Sequence, residues 1–297
     1  MISTPLFEKL SSIQDPIAET LVSIEWKDIK AYRFIDFGAV SDTISFISDK
    51  RVAELSPSQI KDDAQWTKFR QFIKIGRFVK AVYKSINKPI RDHDIEAFVN
   101  KFKACNTSNP FEGFEIVTGE MIRHWYNENN YYKVQKGTLW DSCMRFEECQ
   151  EYFDIYMQNP EQVSLLILRA AKNPNRIKAR ALLWKNISIN GEKENKYMDR
   201  IYTIFPEDTE KMKMWAKENS FHYRRKQDAE DFPDVVTPSN EILEKAKMKV
   251  KLDNGDFEYY PYMDTMKFLS GRYIKSSTKG GYDYKLDDTG GGYEDND

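Results

Sequence analysis

Apolar and polar positions along the chain fall into segments whose period alternates between two, the strand period, and three to four, the helix period. The most orderly succession lies between Val163 and Phe221. VSLLIL (Val163–Leu168) is an apolar run of strand length, and AAKNPNR, punctuated by Pro174, predicts a loop. IKARALLWKNI (Ile177–Ile187) predicts a second strand, Asn190–Gly191 a polar turn, and KYMDRIYTIF (Lys196–Phe205) a third strand. Pro206 stops that strand, and EDTEKMKMWAKENSF then reads as a helix.

Upstream, Ile17, Leu21, Ile24 and Ile29 allow a helix beginning after Pro16. Tyr32–Val40 and Asp42–Ser48 alternate as the arms of a half-buried hairpin do. Trp66, Phe69, Phe72, Ile73, Gly76, Val79 and Tyr83 recur at helical spacing, which predicts one amphipathic helix over 58–86. Its polar positions are basic, with Arg70, Lys74 and Arg77 on one face. That face is either a solvated surface or a contact for nucleic acid or an acidic protein segment. DHDIEAFVNKFKAC predicts a further helix, and NTSNP (Asn106–Pro110) a linker.

Beyond the linker, FEGFEIVTG reads as a strand and GEMIRHWYNENNYY as a helix, with another helix over Arg145–Gln158. Past Phe221, PSNEILEKAKMKVKL suggests a short helix running into a strand, followed by an ordered aromatic segment. From Ser276 the chain is Gly- and Asp-rich, with six acids against two lysines. Such a segment buries too little surface to offset its ordering entropy, so an acidic disordered tail is expected. The expected layout is therefore an N-terminal region over 1–110, an α/β domain over 111–225, an extension over 226–275 and the tail over 276–297.

Composition narrows the function classes. Charged residues make up 31% of the chain, yet the net charge is −2, which does not point to global affinity for nucleic acid. No segment reaches the roughly 18 apolar residues of a membrane span, and the first sixteen residues carry no secretory-signal pattern. Three cysteines without CxxC spacing suit a reduced cytoplasmic protein. Three scattered histidines, His93, His124 and His222, suggest no metal site.

Taken from Phe114, the order strand, helix, helix, three strands, helix resembles the GNAT (N-acetyltransferase) superfamily, most closely at MDRIYTIFPED (Met198–Asp208) and WAKENSF (Trp215–Phe221). The resemblance implies an α+β fold with a mixed, largely antiparallel sheet flanked by helices, and acetyl-CoA as the cofactor. It also implies a cofactor-binding segment at Thr203, Phe205, Asp208 and Thr209. In that superfamily a glycine-rich loop offers backbone N–H groups to a pyrophosphate at a helix start. Here the segment Glu207–Lys211 has no glycine and three acids, which implies a scaffold that has lost acyl-CoA binding. Over its whole length the chain also resembles uncharacterised bacteriophage proteins, at GTLWDSCMR (Gly137–Arg145), the ALLW and YMDRIYT strands, and YYPYMDT (Tyr259–Thr265). That likeness implies a phage-encoded protein of the host cytoplasm or virion. Its activity would be that of an acyltransferase homologue or of a non-enzymatic interaction protein with an unknown protein or nucleic-acid partner.

Three residues, Asp199, Tyr202 and Cys143, are candidates for catalysis. On a regular strand Asp199 faces one way, and Arg200 and Tyr202 the other. Asp199 could act as general base toward an amine, or form a structural pair with an arginine. Cys143 beside Arg145 could be a nucleophile of lowered pKa or a buried structural thiol, with Ser142 as a helix cap. Lys178 and Arg180 share a strand face as a basic strip, which would either contact a phosphate or solubilise the outer surface of the sheet.

Overall fold

A computed structural model describes residues 2–26, 29, 31–38, 42–55, 69–105, 111–228 and 232–276. The protein is α+β, and the chain divides into two compact units, Met1–Pro110 and Phe111–Asp297. The linker 106–110, the residues 56–68 and the acidic tail from 277 onward lie outside the described residues.

In the first unit, α1 (Thr4–Ser12) is capped by Ser3 and buries Leu6 and Leu10, one turn apart. Helix α2 (Pro16–Ser23) starts on a proline, whose missing N–H needs no partner there. The carboxylate of Asp15 accepts the N–H of Ile17 (2.9 Å) and an ammonium proton of Lys101 (2.9 Å). Strands β1 (Arg33–Phe37), β2 (Thr43–Ile47) and, after the short helix α3 (Asp49–Glu54), β3 (Gln71–Lys74) form an antiparallel sheet in that order. Helices α4 (Ile75–Ser85) and α5 (Asp92–Cys105) follow. Trp26 and Tyr32 pack against Phe78 of α4, with ring centroids 5.8 and 5.0 Å away, and Phe46 packs on Tyr32 at 4.7 Å.

The long helix expected over 58–86 is therefore corrected. Gln71–Lys74 is a strand paired with β2, from Thr43↔Lys74 to Phe46↔Gln71, and the helix begins only at Ile75. Phe72, assigned to the apolar stripe, points to solvent. The period-two segment QFIK was absorbed into the helical spacing because Phe69, Phe72 and Ile73 also fit a period of three to four.

The second unit is built on one long strand. After β4 (Phe114–Val117), α6 (Glu120–Tyr126), a run of 3-10 turns and α7 (Asp154–Met157), the chain enters β5 (Val163–Ala170) and β6 (Asn173–Ile189). Next come β7 (Glu192–Met198), β8 (Tyr202–Thr203), α8 (Pro206–Glu218) and β9 (His222–Arg224). Strands β10 (Val235–Val236), β11 (Ile242–Leu243), β12 (Met248–Lys251), β13 (Met266–Ser270) and β14 (Tyr273–Ser276) complete it.

Strand β6 pairs with β5 and then β12 along one edge, and with β8 and β7 along the other. Every pairing in this sheet is antiparallel except β7 with β9, which run parallel and are joined through α8. A parallel pair needs such a crossover. The β6–β7 hairpin closes on Asn190 and Gly191, both at positive φ (51° and 94°), the conformation a two-residue hairpin turn requires.

Both faces of the sheet are covered, and this is why VSLLIL is apolar without alternation. Leu165, Ile167 and Trp184 join a core with α6, the 3-10 turns, α7 and the C-terminal strands. Leu166, Leu183 and Met198 join a second core beneath α8, with Met212, Trp215 and Ala216.

Several local expectations are revised. Pro174 lies within β6, because the hairpin turn is shorter than the predicted loop and Ala170 already pairs with Asn173. Arg145–Gln158 is largely 3-10 turns, leaving only Asp154–Met157 as α-helix. The helix suggested in PSNEILEKAKMKVKL is replaced by β11 and a turn leading into β12. Residues 226–276 are not an appended extension, since β12 pairs with β6 and β10 with β9 in the main sheet. Among the described residues no helix is long and apolar enough to cross a membrane.

Candidate functional site

The third predicted strand does not run straight through. Met198 pairs with Leu183 and Thr203 with Ala179, so five residue steps on this strand span four on β6. The surplus is taken up at Asp199–Arg200–Ile201, a bulge of the kind that re-aims side chains beside functional sites. Its effect is direct. Asp199, Arg200 and Tyr202 all line one cleft, although strict alternation would send Asp199 to the opposite face.

The cleft is completed by Tyr126 at the end of α6, Ser142 and Cys143 in the 3-10 turns, Arg180 on β6, and Tyr262 and Asp264 from the C-terminal loop. It holds about 20 Å³ of free space, room for roughly one water. Tyr262 and Cys143 are exposed at its mouth.

The carboxylate of Asp264 accepts from Arg200 Nη1 (2.9 Å) and from the Tyr202 hydroxyl (2.6 Å). Burial pushes the Tyr202 phenol far up, and the neighbouring Asp264 charge adds to this. Asp199 is buried and accepts from its neighbour's backbone N–H at Arg200 (2.8 Å) and from the Thr265 hydroxyl. Arg224 Nη1 lies 3.8 Å away and donates to Thr265 Oγ1 (2.9 Å). Burial raises the Asp199 carboxyl above the usual aspartate range, against the pull of Arg224. Its arginine partner is therefore Arg224 from β9, while Arg200 serves Asp264.

Arg180 is fully buried in the inner face of the sheet, not on a solubilising outer surface. Its Nε donates to the Tyr131 hydroxyl (3.2 Å) and its Nη2 to Ser142 Oγ (2.8 Å). The guanidinium stacks 3.5 Å from the Tyr126 ring centroid and lies 4.8 Å from that of Tyr202. Ser142 makes no helix cap; its hydroxyl is an acceptor for Arg180.

Cys143 does not fit a nucleophile. Burial raises its thiol pKa, the nearby Asp264 charge raises it further, and no histidine lines the cleft. Arg145 turns instead to Glu128 (2.8 Å).

The predicted cofactor segment forms the end of β8 and the start of α8. The Thr203 and Thr209 hydroxyls meet at 2.9 Å, and Lys136 lies 4.7 Å over the Phe205 ring. Asp208 is wholly buried inside the first turn of α8, where Lys178 donates to its Oδ1 (3.0 Å). Burial raises its carboxyl, against the pull of Lys178.

β8 pairs with β6 on one side, and its other edge is already occupied. Ile201 N–H donates to the side-chain oxygen of Gln227 (2.7 Å), and Thr203 N–H to Thr138 Oγ1 (3.0 Å). Gly137 makes this close approach feasible. It sits at φ 71°, and a Cβ there would fall 2.3 Å from the Thr203 carbonyl oxygen.

The proposed contact residues in the first unit are not gathered on one helical face. Arg70 donates inward to Ser45 Oγ (2.9 Å) and the Phe34 carbonyl (2.7 Å), and Lys74 pairs with Asp42 (2.6 Å). Arg77 alone of the three projects from a helix, as an exposed residue of α4.

Arg180, Arg224, Asp264 and Thr265 were not singled out by sequence reasoning as members of this site. The one available signal was a charged residue directly beside the apolar run ALLW, at Arg180. Comparison with protein-family models, with curated proteins and with solved structures gave no match.

Proposed function

We propose that the second unit is a GNAT-like scaffold, phage-encoded and resident in the host cytoplasm, that has lost acyl-CoA binding and keeps a small-molecule cleft at the strand bulge. The order strand, helices, three strands, crossover helix, and the parallel β7–β9 pair around α8, support the scaffold part.

One observation carries the loss of cofactor binding: the places such a cofactor needs are filled by the chain itself. The helix start that would face a pyrophosphate holds the buried carboxyl of Asp208. Its N–H groups favour one anion, and a second would meet charge repulsion there. The strand edge beside it donates to Gln227 and Thr138. In this reading Asp199 is the proton acceptor of the cleft, and Tyr202 and Arg200 hold Asp264 in place.

Calorimetric titration with acetyl-CoA is the test. The expected result is no heat and no thermal shift at millimolar cofactor; saturable binding would overturn the reading. An interaction protein using a basic helix is the weaker alternative, because Arg70 and Lys74 are already engaged within the first unit.

A further inference from the structure

Among the described residues, the cleft contains one cation without a counter-ion. Asp264 is engaged by Arg200 and Tyr202, and Asp199 by Thr265 and Arg224. Among the described residues no carboxylate forms an ion pair with Arg180, which is held only by neutral groups, Tyr131 and Ser142, and two aromatic rings. The Tyr131 hydroxyl donates to the Tyr126 carbonyl (2.7 Å), so it faces Arg180 as a pure acceptor. A guanidinium has five N–H donors; two are used, by Tyr131 and Ser142, leaving three without a partner among the described residues.

A buried charge is tolerated when it is paired and its donors are met. The two tyrosine rings offset part of the desolvation through the attraction of a cation for an aromatic face. They leave the remaining N–H groups of this cleft-lining residue unserved. The fixed planar fork of an arginine matches a planar carboxylate, which can take two parallel N–H bonds.

We infer that the cleft binds the carboxylate group of a small molecule on Arg180, with Ser142 and Tyr131 orienting the guanidinium and the rest of the ligand leaving past Tyr262 and Cys143. This inference rests on the reading of the cleft as a small-molecule site. The free space, room for roughly one water, admits no more than the carboxylate end of a ligand beside Arg180. Asp199 and Asp264 line the same cleft, so a singly charged carboxylate is favoured over a phosphate dianion, which would meet more repulsion there.

The test uses the full chain with acetate as the probe, against inorganic phosphate and chloride at matched ionic strength, read by line broadening of the acetate methyl resonance and by thermal shift. Saturable acetate binding that phosphate and chloride do not reproduce is expected. Its dissociation constant should rise at least about tenfold in Arg180→Gln, as loss of a charge-assisted bidentate contact requires. Should that variant not fold, Ser142→Ala keeps the charge but frees Nη2, and a rise of roughly threefold or more is expected there. Equal responses to acetate and chloride, a preference for phosphate, or an affinity unchanged in the folded variant would each overturn the inference. Acetyl-CoA binding in the parallel titration would instead overturn the functional reading, whatever acetate does.

Discussion

At the scale of single residues, charge placement in this protein is decided by what each side chain meets across the sheet. Arg180 alternates with Leu182 and Trp184 on one face of β6, and the sequence pattern alone would let that face be wet. In the structure it is dry, and the guanidinium is packed between tyrosines. Asp208 shows the same inversion, since a good helix-capping residue is instead buried inside the first turn of α8 against Lys178. Its titration gives a prediction with a definite sign. A carboxyl whose folded pKa is raised binds its proton more tightly folded than unfolded. Its contribution to stability is therefore full below the ordinary aspartate value, about 3.9, and is lost as pH rises through the folded value. Asp208→Asn removes that dependence. The difference in Tm, variant minus wild type, is expected to become more positive from pH 4 to pH 7. A difference that stays flat or falls would contradict the raised pKa.

At the scale of elements, the parts that read well from sequence are those whose signal is local. The hairpin turn at Asn190–Gly191, the start of α2 at Asp15–Pro16 and the start of α8 at Pro206 each depend on backbone chemistry of one or two residues. Asp15 can be tested directly. Asp15→Ala deletes both the acceptor for Ile17 N–H and the partner of Lys101. A loss of about 0.5–2 kcal/mol is expected for the cap, as a lowered denaturant midpoint with unchanged slope. No loss would mean that Pro16 alone sets the helix start. Elements whose identity depends on pairing were misread. Gln71–Lys74 is a strand because β2 offers it an edge, and residues 147–153 wind as 3-10 turns packed beneath the sheet.

At the scale of the whole molecule, the chain makes two compact units, and the second draws on described strands as late as 273–276. β12, at 248–251, pairs with β6, while Asp264 and Thr265 supply partners to Tyr202, Arg200 and Asp199. A fragment spanning 111–297 is accordingly expected to fold cooperatively without residues 1–110. A fragment ending at 225 should lose the cooperative transition, because it strips an edge from β6 and removes Asp264 from Arg200 and Thr265 from Arg224. Circular dichroism melts of the two fragments check this. A sharp transition in the shorter one would show that the C-terminal strands are dispensable.

By itself the sequence determined the α+β class, the strand–hairpin–strand–helix order of the second unit, and the absence of glycine where an anion-cradling loop would stand. Periodicity, turn residues and composition act over a few residues, and so are legible there. Tertiary structure alone decided the bulge that turns Asp199, Arg200 and Tyr202 into one cleft. It also decided the burial of Arg180, and the arrival of Asp264 and Thr265 from more than sixty positions away. These depend on strand register and on contacts between segments distant in sequence, whose energies no local pattern records.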